Sequence, residues 1–308
     1  MLRLIFAFIA LFALPAYANN SPIRLVVPFS AGGTSDLTAR ILAEAITEET
    51  GERVVVENRP GGFIAVGVDY ILGRPADGRT IIIAANGVVA HRYYSPGTRD
   101  HITQLSIVSM ITESPMVMLI ANNLPVSNLR EFVDYARINQ QNMNYATVGQ
   151  GGTLQMGADL MLRVTNLSIT PIAYQGGAPA VADLTAGRIQ MMFDSVPVGI
   201  QTQRAGNARA IAVTARERSR FAPDIPTFAE LGYDVNFVPW QAIWVAASTP
   251  DSARRQTNNI IQRALRNPNA IRRYMDMGAE RVLGTSIEDS EILLREEQEK
   301  WERILGSK

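Results

Sequence analysis

Pro28-Phe29-Ser30-Ala31-Gly32-Gly33-Thr34-Ser35-Asp36-Leu37-Thr38-Ala39-Arg40 decides the fold of this chain. It follows an apolar, strand-like run from Ile23 to Val27 and opens into a helical pattern with Leu37, Ile41 and Ala45 on one face. A strand, a glycine turn and a helix start, in that order, form the corner of an α/β unit. The same corner is an anion site, because glycine lets the backbone approach a ligand and the first helical amides have no partner in the helix. Thr34 and Ser35 are residue types that cap helices and supply hydroxyl donors. Taken alone, a strand, a turn with two glycines and a helix is more often plain α/β architecture than a ligand site.

Downstream, strand-like and helical stretches alternate over 23–28, 36–50, 53–57, 65–73 and 80–85, followed by apolar runs at 105–111 and 116–121. This alternation predicts a largely parallel sheet covered by helices. Ser127 is expected to cap a helix from Leu129 to Ile138. A second alternating unit follows. It has strands at 143–147, 168–173, 189–193 and 208–214, and helices at 153–164 and 178–186. After an apolar run from Trp240 to Ala247, helices at 252–266 and 288–305 close the chain, the last anchored by Ile292, Leu293, Trp301 and Leu305. The expected architecture is α/β in two lobes, with residues 19–123 plus 238–308 forming one and 124–237 the other.

The second unit repeats the corner. Asn144 to Thr147 run into Val148-Gly149-Gln150-Gly151-Gly152-Thr153, then into a helix with Gln155, Met156 and Leu160. Facing each other across a cleft, two such corners would hold the ends of a small anion by backbone amides, and ligand sites favour such interfaces.

Other readings narrow the function. Arg3, the apolar run Leu4 to Leu14 and the small residues of Ala16-Tyr17-Ala18 fit a secretory signal over residues 1–18, with cleavage after Ala18 and a periplasmic destination. No later stretch has the length of a membrane span. The chain carries 29 basic and 29 acidic residues and no basic tract, which argues against nucleic acid as a partner. With no cysteine there is neither a thiol nucleophile nor a thiolate metal site. His91 and His101 are the only histidines, without metal-ligand spacing or a partner motif, and are expected at the surface or a hinge. An exported α/β enzyme acting on a small acid is the weaker alternative, and no cofactor or metal is expected.

The ordered landmarks also resemble a known family. Pro28 to Gly33 with Asp36 and Ala39-Arg40, Val56-Glu57-Asn58-Arg59-Pro60-Gly61, Pro75 to Gly78, Tyr145 to Gly151 and Tyr174-Gln175-Gly176 belong to the series. So do Asp183-Leu184 with Gly187, Met192-Phe193-Asp194, Pro223 to Thr227 with Glu230 and Gly232, Trp240 and Thr249-Pro250. Across the mature chain the sequence is similar to the Bug receptors, extracytoplasmic solute-binding proteins of tripartite tricarboxylate transporters. The resemblance implies a Venus-flytrap fold of the type II periplasmic-binding-protein class. It implies a small carboxylate ligand: a dicarboxylate, a tricarboxylate, an acidic amino acid or an aromatic acid. It also implies delivery to membrane permease subunits, with docking on a sensor kinase ectodomain as an alternative partnership and a monomer as the expected state.

The expected ligand-binding residues are Phe29, Ser30, Gly32, Gly33, Thr34 and Ser35 from the first corner and Gly149, Gln150, Gly151 and Thr153 from the second. Asn86 is added at the end of its strand. Asp194 matches a family position near the cleft, placed either to pair with an ammonium group or to serve as a turn residue. Two departures from the family pattern stand out: Gly62-Phe63-Ile64-Ala65 where more glycine and an asparagine are usual, and Gln155 where histidine is common.

Overall fold

The computed structural model describes residues 21–148, 152–174 and 176–306. The expected signal segment and Gly149, Gln150 and Gly151 lie outside the described residues.

The first unit forms β1 (Ile23–Val27), α1 (Thr34–Thr50), β2 (Val54–Asn58), α2 (Ala65–Leu72), β3 (Thr80–Ala85), α3 (Gly87–Tyr94) and β4 (Leu105–Glu113). Then come β5 (Met116–Ile120), α4 (Leu129–Asn139), β6 (Asn144–Val148), α5 (Thr153–Thr165), β7 (Thr170–Tyr174), α6 (Gly177–Thr185), β8 (Met191–Ser195), α7 (Val196–Arg204) and β9 (Arg209–Val213). The chain closes with β10 (Trp240–Ala246), α8 (Asp251–Ala264), α9 (Pro268–Asp276), β11 (Arg281–Val282) and α10 (Ile287–Leu305).

Two sheets result, ordered β11-β4-β10-β3-β1-β2 and β7-β6-β8-β5-β9. Each is mixed, not wholly parallel. β10 runs antiparallel to β3 and β4, and β5 antiparallel to β8 and β9. These reversed strands are the ones the chain lays down on crossing from one unit to the other. The lobe boundary expected at residue 123 leaves β5 with the first lobe, but its hydrogen bonds place it inside the second sheet. Its continuous apolar run, MVMLI, suits a strand buried on both faces and carries no mark of which sheet will bury it.

The crossing fixes how the lobes face. β4 is antiparallel to β10, and β10 to β3, so Glu113 ends at the same edge as the C-terminal ends of β1, β2 and β3. Met116 pairs with Ser195, the last residue of β8, so β5 starts at the corresponding edge of the second sheet. Only Ser114 and Pro115 separate them. The return crossing lies alongside, with the Ser114 amide donating to the Pro239 carbonyl at 2.8 Å and the Thr214 amide to the Met116 carbonyl at 2.9 Å. The C-terminal edges of the two sheets therefore confront each other across a short double crossing.

Strand alternation builds the core. Leu25, Val27, Ile81, Ile83, Ile243 and Val245 pack on one face of the first sheet with Ile41, Leu42 and Ile46 of α1 and Ile261 of α8. Val26, Ile82, Ala84, Trp240, Ala242 and Trp244 face the other way, into a cluster continuous with the second lobe. α10 reaches across: buried Trp301 meets Phe237 edge-on at 5.5 Å. Of the anchors expected on α10, Trp301 and Leu305 are buried, but Ile292 and Leu293 are open to solvent, and Ile287 takes their place at the helix start. α4 is capped by Asn128, one residue later than expected: its side chain accepts the Glu131 amide, while Ser127 donates back to the Glu131 carboxylate. This is a reciprocal capping box shifted by one position. Among the described residues, no helix is long and apolar enough to cross a membrane.

Candidate functional site

Helices that follow the parallel strands begin at the confronting edges, and their starts share one property. α1, α2, α3, α5, α6 and α7 have no side-chain cap hydrogen bond. α8, which follows the antiparallel β10, also lacks one, whereas α4, α9 and α10 are capped by Asn128, Asn267 and Ser286. First-turn amides have no acceptor within their own helix, and a helix start carries a partial positive charge. Among the described residues, the amides of Thr34, Ser35 and Asp36 at the start of α1 have no backbone acceptor, whereas Ala65 and Val66 of α2 and Val196 of α7 donate to the Gly62, Gly61 and Pro115 carbonyls. The open amides and the positive helix-start field of the first corner suit an anion.

The first corner is held from behind by Asp36. Its carboxylate accepts from the Gly32 amide at 2.9 Å, from Arg40 Nε at 3.0 Å and from Asn58 Nδ2 at 3.0 Å. Asn58 also donates to the Phe29 carbonyl at 3.1 Å, tying β2 to the turn. Burial alone would push the Asp36 carboxyl up; the Arg40 guanidinium, the Gly32 amide and Asn58 outweigh it and hold its pKa down to about 2. Gly32 sits at φ 87°, a left-handed conformation open to glycine. Ser30, Gly32, Gly33 and Thr34 are exposed and Phe29 and Ser35 half-buried. The Gly32 amide is committed inward to Asp36, so the outward donors of this corner are those of Gly33 to Asp36 at the start of α1. Leu37, expected on the packed face with Ile41 and Ala45, is 43% exposed, because the first turn of α1 projects past the sheet edge.

In the second lobe, Thr153 opens α5 and is half-buried. Asp194, near the end of β8, is half-buried, accepts the Ser195 amide at 2.7 Å, and lies across from Gly177 at the start of α6. Burial pushes its pKa up to about 6, against the pull of that amide. The structure thus places Asp194 at the same edge as the second corner.

Asn86 departs from expectation. It stands at the β3–α3 junction, where its amide donates to the Trp240 carbonyl at 3.3 Å, yet it is 0% exposed and neither polar atom of its side chain has a partner. It lies under the edge, not on its surface. The two histidines are also buried, which removes the surface alternative expected for them. α3, which carries His91, was not foreseen as a helix.

Sequence reasoning did not assign Asn58 and Asp36 their structural part, although both stood in the quoted landmarks. An acid at the third position of a helix that begins with a double glycine is the signal that points to it. A further polar link was missed: Tyr94 of α3 and Tyr145 of β6 both donate to the Asp159 carboxylate of α5, each at 2.7 Å, bridging the lobes.

Comparison with known proteins agrees with this geometry. Residues 38–308 match the family model described as the tripartite tricarboxylate transporter family receptor. The chain belongs to this receptor family. Among its relatives, BugT of Bordetella pertussis is 28% identical, over 92% of this chain and 88% of that protein. Among solved structures, a Rhodopseudomonas palustris protein, Rpa4515 with adipate, matches with a TM-score of 0.79 and 29% identity, over 92% of this chain and 95% of that one. MatC of Rhodopseudomonas palustris, with bound malate, matches with a TM-score of 0.77 and 25% identity, over 92% and 98%. The two-lobed architecture is therefore the receptor family's periplasmic-binding-protein fold, and the family is one of solute-binding receptors.

Proposed function

We propose that this receptor captures a small carboxylate between its lobes, through backbone amides of the turns at 29–35 and 149–153, and delivers it to membrane permease subunits of a tripartite transporter. The observation that carries this reading is the set of uncapped helix starts on two sheet edges that confront each other across a two-residue crossing. The adipate and malate bound by two structural relatives support the ligand class. Residues 1–18 would direct export and be removed after Ala18. Closure would be a hinge motion about the double crossing, stabilised by contacts that one ligand makes to both lobes.

A thermal-unfolding panel on residues 19–308, stripped of carried ligand, tests the reading. Aliphatic and aromatic carboxylates would be compared with phosphate and neutral amides. A ligand present at about one hundred times its dissociation constant adds about 2.7 kcal/mol of stability. A Cβ added at Gly33 meets only the Ser30 carbonyl oxygen, at 3.8 Å, so Gly33→Val fits the fold and obstructs only what approaches the turn. A carboxylate-induced shift that disappears in Gly33→Val is the expected result. A shift given by phosphate or a neutral amide alone would overturn the assignment.

A further inference from the structure

Phe63, in the loop between β2 and α2, has unusual surroundings. The loop that carries it packs beside the first corner: Asn58 holds the Phe29 carbonyl, and a Cβ at Gly67 would come within 3.0 Å of the Pro28 side chain. Three successive residues, Gly61, Gly62 and Phe63, adopt φ of 135°, 53° and 63°. Among the described residues the only other non-glycine with positive φ is Asn166, a helix C-cap, where asparagine is tolerated. A phenylalanine held in this conformation is the kind of backbone strain that clusters at ligand clamps.

The ring explains what the conformation achieves. Phe63 stacks on His91 with centroids 4.3 Å apart and planes 4° apart, and His91 in turn faces His101 at 6.1 Å and 20°. The two imidazoles are buried and Phe63 is half-buried, so the stack runs from the core outward and ends at the phenyl ring. One face of that ring is used against His91. Val66, three residues on in the first turn of α2, is exposed at the same edge. A hydroxyl-rich ligand would find no polar side chain on these two residues, whereas a flat apolar body would meet a ring face and an aliphatic group.

We infer that Phe63 is a specificity-determining residue of the ligand site, offering its outer face to the planar body of an aromatic carboxylate. This rests on the carboxylate-capture reading and deepens it. The carboxylate would be held by the amides at the start of α1, and the ring acid would extend the existing three-ring stack by one member.

Calorimetric titration of the stripped mature chain with benzoate, cinnamate, succinate and adipate tests the assignment, in the wild type and in Phe63→Leu and Phe63→Tyr. Leucine keeps the apolar bulk and tyrosine keeps the ring. The expected result is a loss of about tenfold or more in affinity for the aromatic acids in Phe63→Leu, with the aliphatic acids changed less than about twofold and Phe63→Tyr close to wild type. Equal losses for all four acids in Phe63→Leu would make Phe63 a packing residue and overturn the inference. So would an unchanged affinity for benzoate and cinnamate, or binding of the aliphatic acids alone. If no carboxylate binds the wild type, the capture reading itself fails and the inference falls with it, an outcome distinct from the others.

Discussion

Replacing Asp36 by asparagine removes a buried carboxylate that accepts three donors at once. The side chain is 3% exposed, and its pKa is drawn from 3.8 down to about 2. That displacement corresponds to about 2 kcal/mol of native-state stabilisation above the unfolded pKa. Asparagine keeps one acceptor but turns its amide group toward the Gly32 amide or Asn58 Nδ2, leaving a buried donor unpaired at a further cost of about 1–3 kcal/mol. The expected destabilisation is therefore about 3–5 kcal/mol, a fall in melting temperature of about 6–10 °C for a chain of this size. Arg40 is 46% exposed, so water screens its share. Arg40→Ala should cost less than about 1 kcal/mol, well below Asp36→Asn.

The pH dependence separates this account from a general loss of packing. Asp36 has a lower pKa folded than unfolded, so its contribution is complete above about pH 4 and fades as the pH falls through its native value. Urea unfolding monitored by tryptophan fluorescence, for wild type and Asp36→Asn in parallel, reads the difference directly. The gap between them should be widest at about pH 5.5 and should narrow toward about pH 3. An equal gap at both pH values would refute the carboxylate as its source. No gap at neutral pH would refute the claim that Asp36 holds the corner.

Burial lowers the pKa of both His91 and His101, so the folded state favours neutral imidazoles. Stability should be fully present above about pH 6.5 and decline as the pH falls below it, and His101→Gln should flatten that slope in urea titrations. Asp194, with its pKa raised to about 6, ionises across neutrality and would repel a bound anion. Benzoate affinity should therefore rise between about pH 7.5 and 5.5, and Asp194→Asn should abolish the rise in calorimetry. Tyr94→Phe removes one of the two donors to Asp159 and, with it, a bond between the lobes. It should cost about 1–2 kcal/mol and broaden the lobe–lobe distance distribution in solution scattering or paramagnetic distance measurements, whereas unchanged values would show that the bond does not restrain the lobes.

Local periodicity made most of the scaffold legible. β1, α1, β2, α2 and β3 lie within a few residues of where alternation and turn chemistry put them, and α5 and α10 follow their helical pattern. What escaped depends on partners distant in sequence. β5 reads as a buried strand whichever sheet receives it, and only pairing with β8 and β9 assigns it to the second. α3 is short and has polar residues through its second half, so its pattern gives no helical face, although Phe63 and His101 bury His91. The glycine corner was visible as an anion site. The wiring of Gly32 and Asn58 to Asp36 was not, because those bonds join residues 4 and 22 positions apart through side chains that no periodicity relates.

A near-neutral protein can hold an anion without a committed side-chain cation, and the pairing of the arginines around the first lobe is consistent with the proposed capture by backbone amides. Arg40 is engaged by Asp36, Arg59 by Glu57, and Arg92 by Asp100 and Glu302. Each is already paired with a carboxylate of the scaffold, which on the proposed reading leaves the attraction in the first lobe to the open amides at the start of α1. Backbone donors are fixed by the fold and read the carboxylate group, not the scaffold that bears it. On that reading, selection among carboxylates falls to side chains beside the corners, and in the first lobe the inference above assigns it to Phe63, held by a positive φ and a stacked ring.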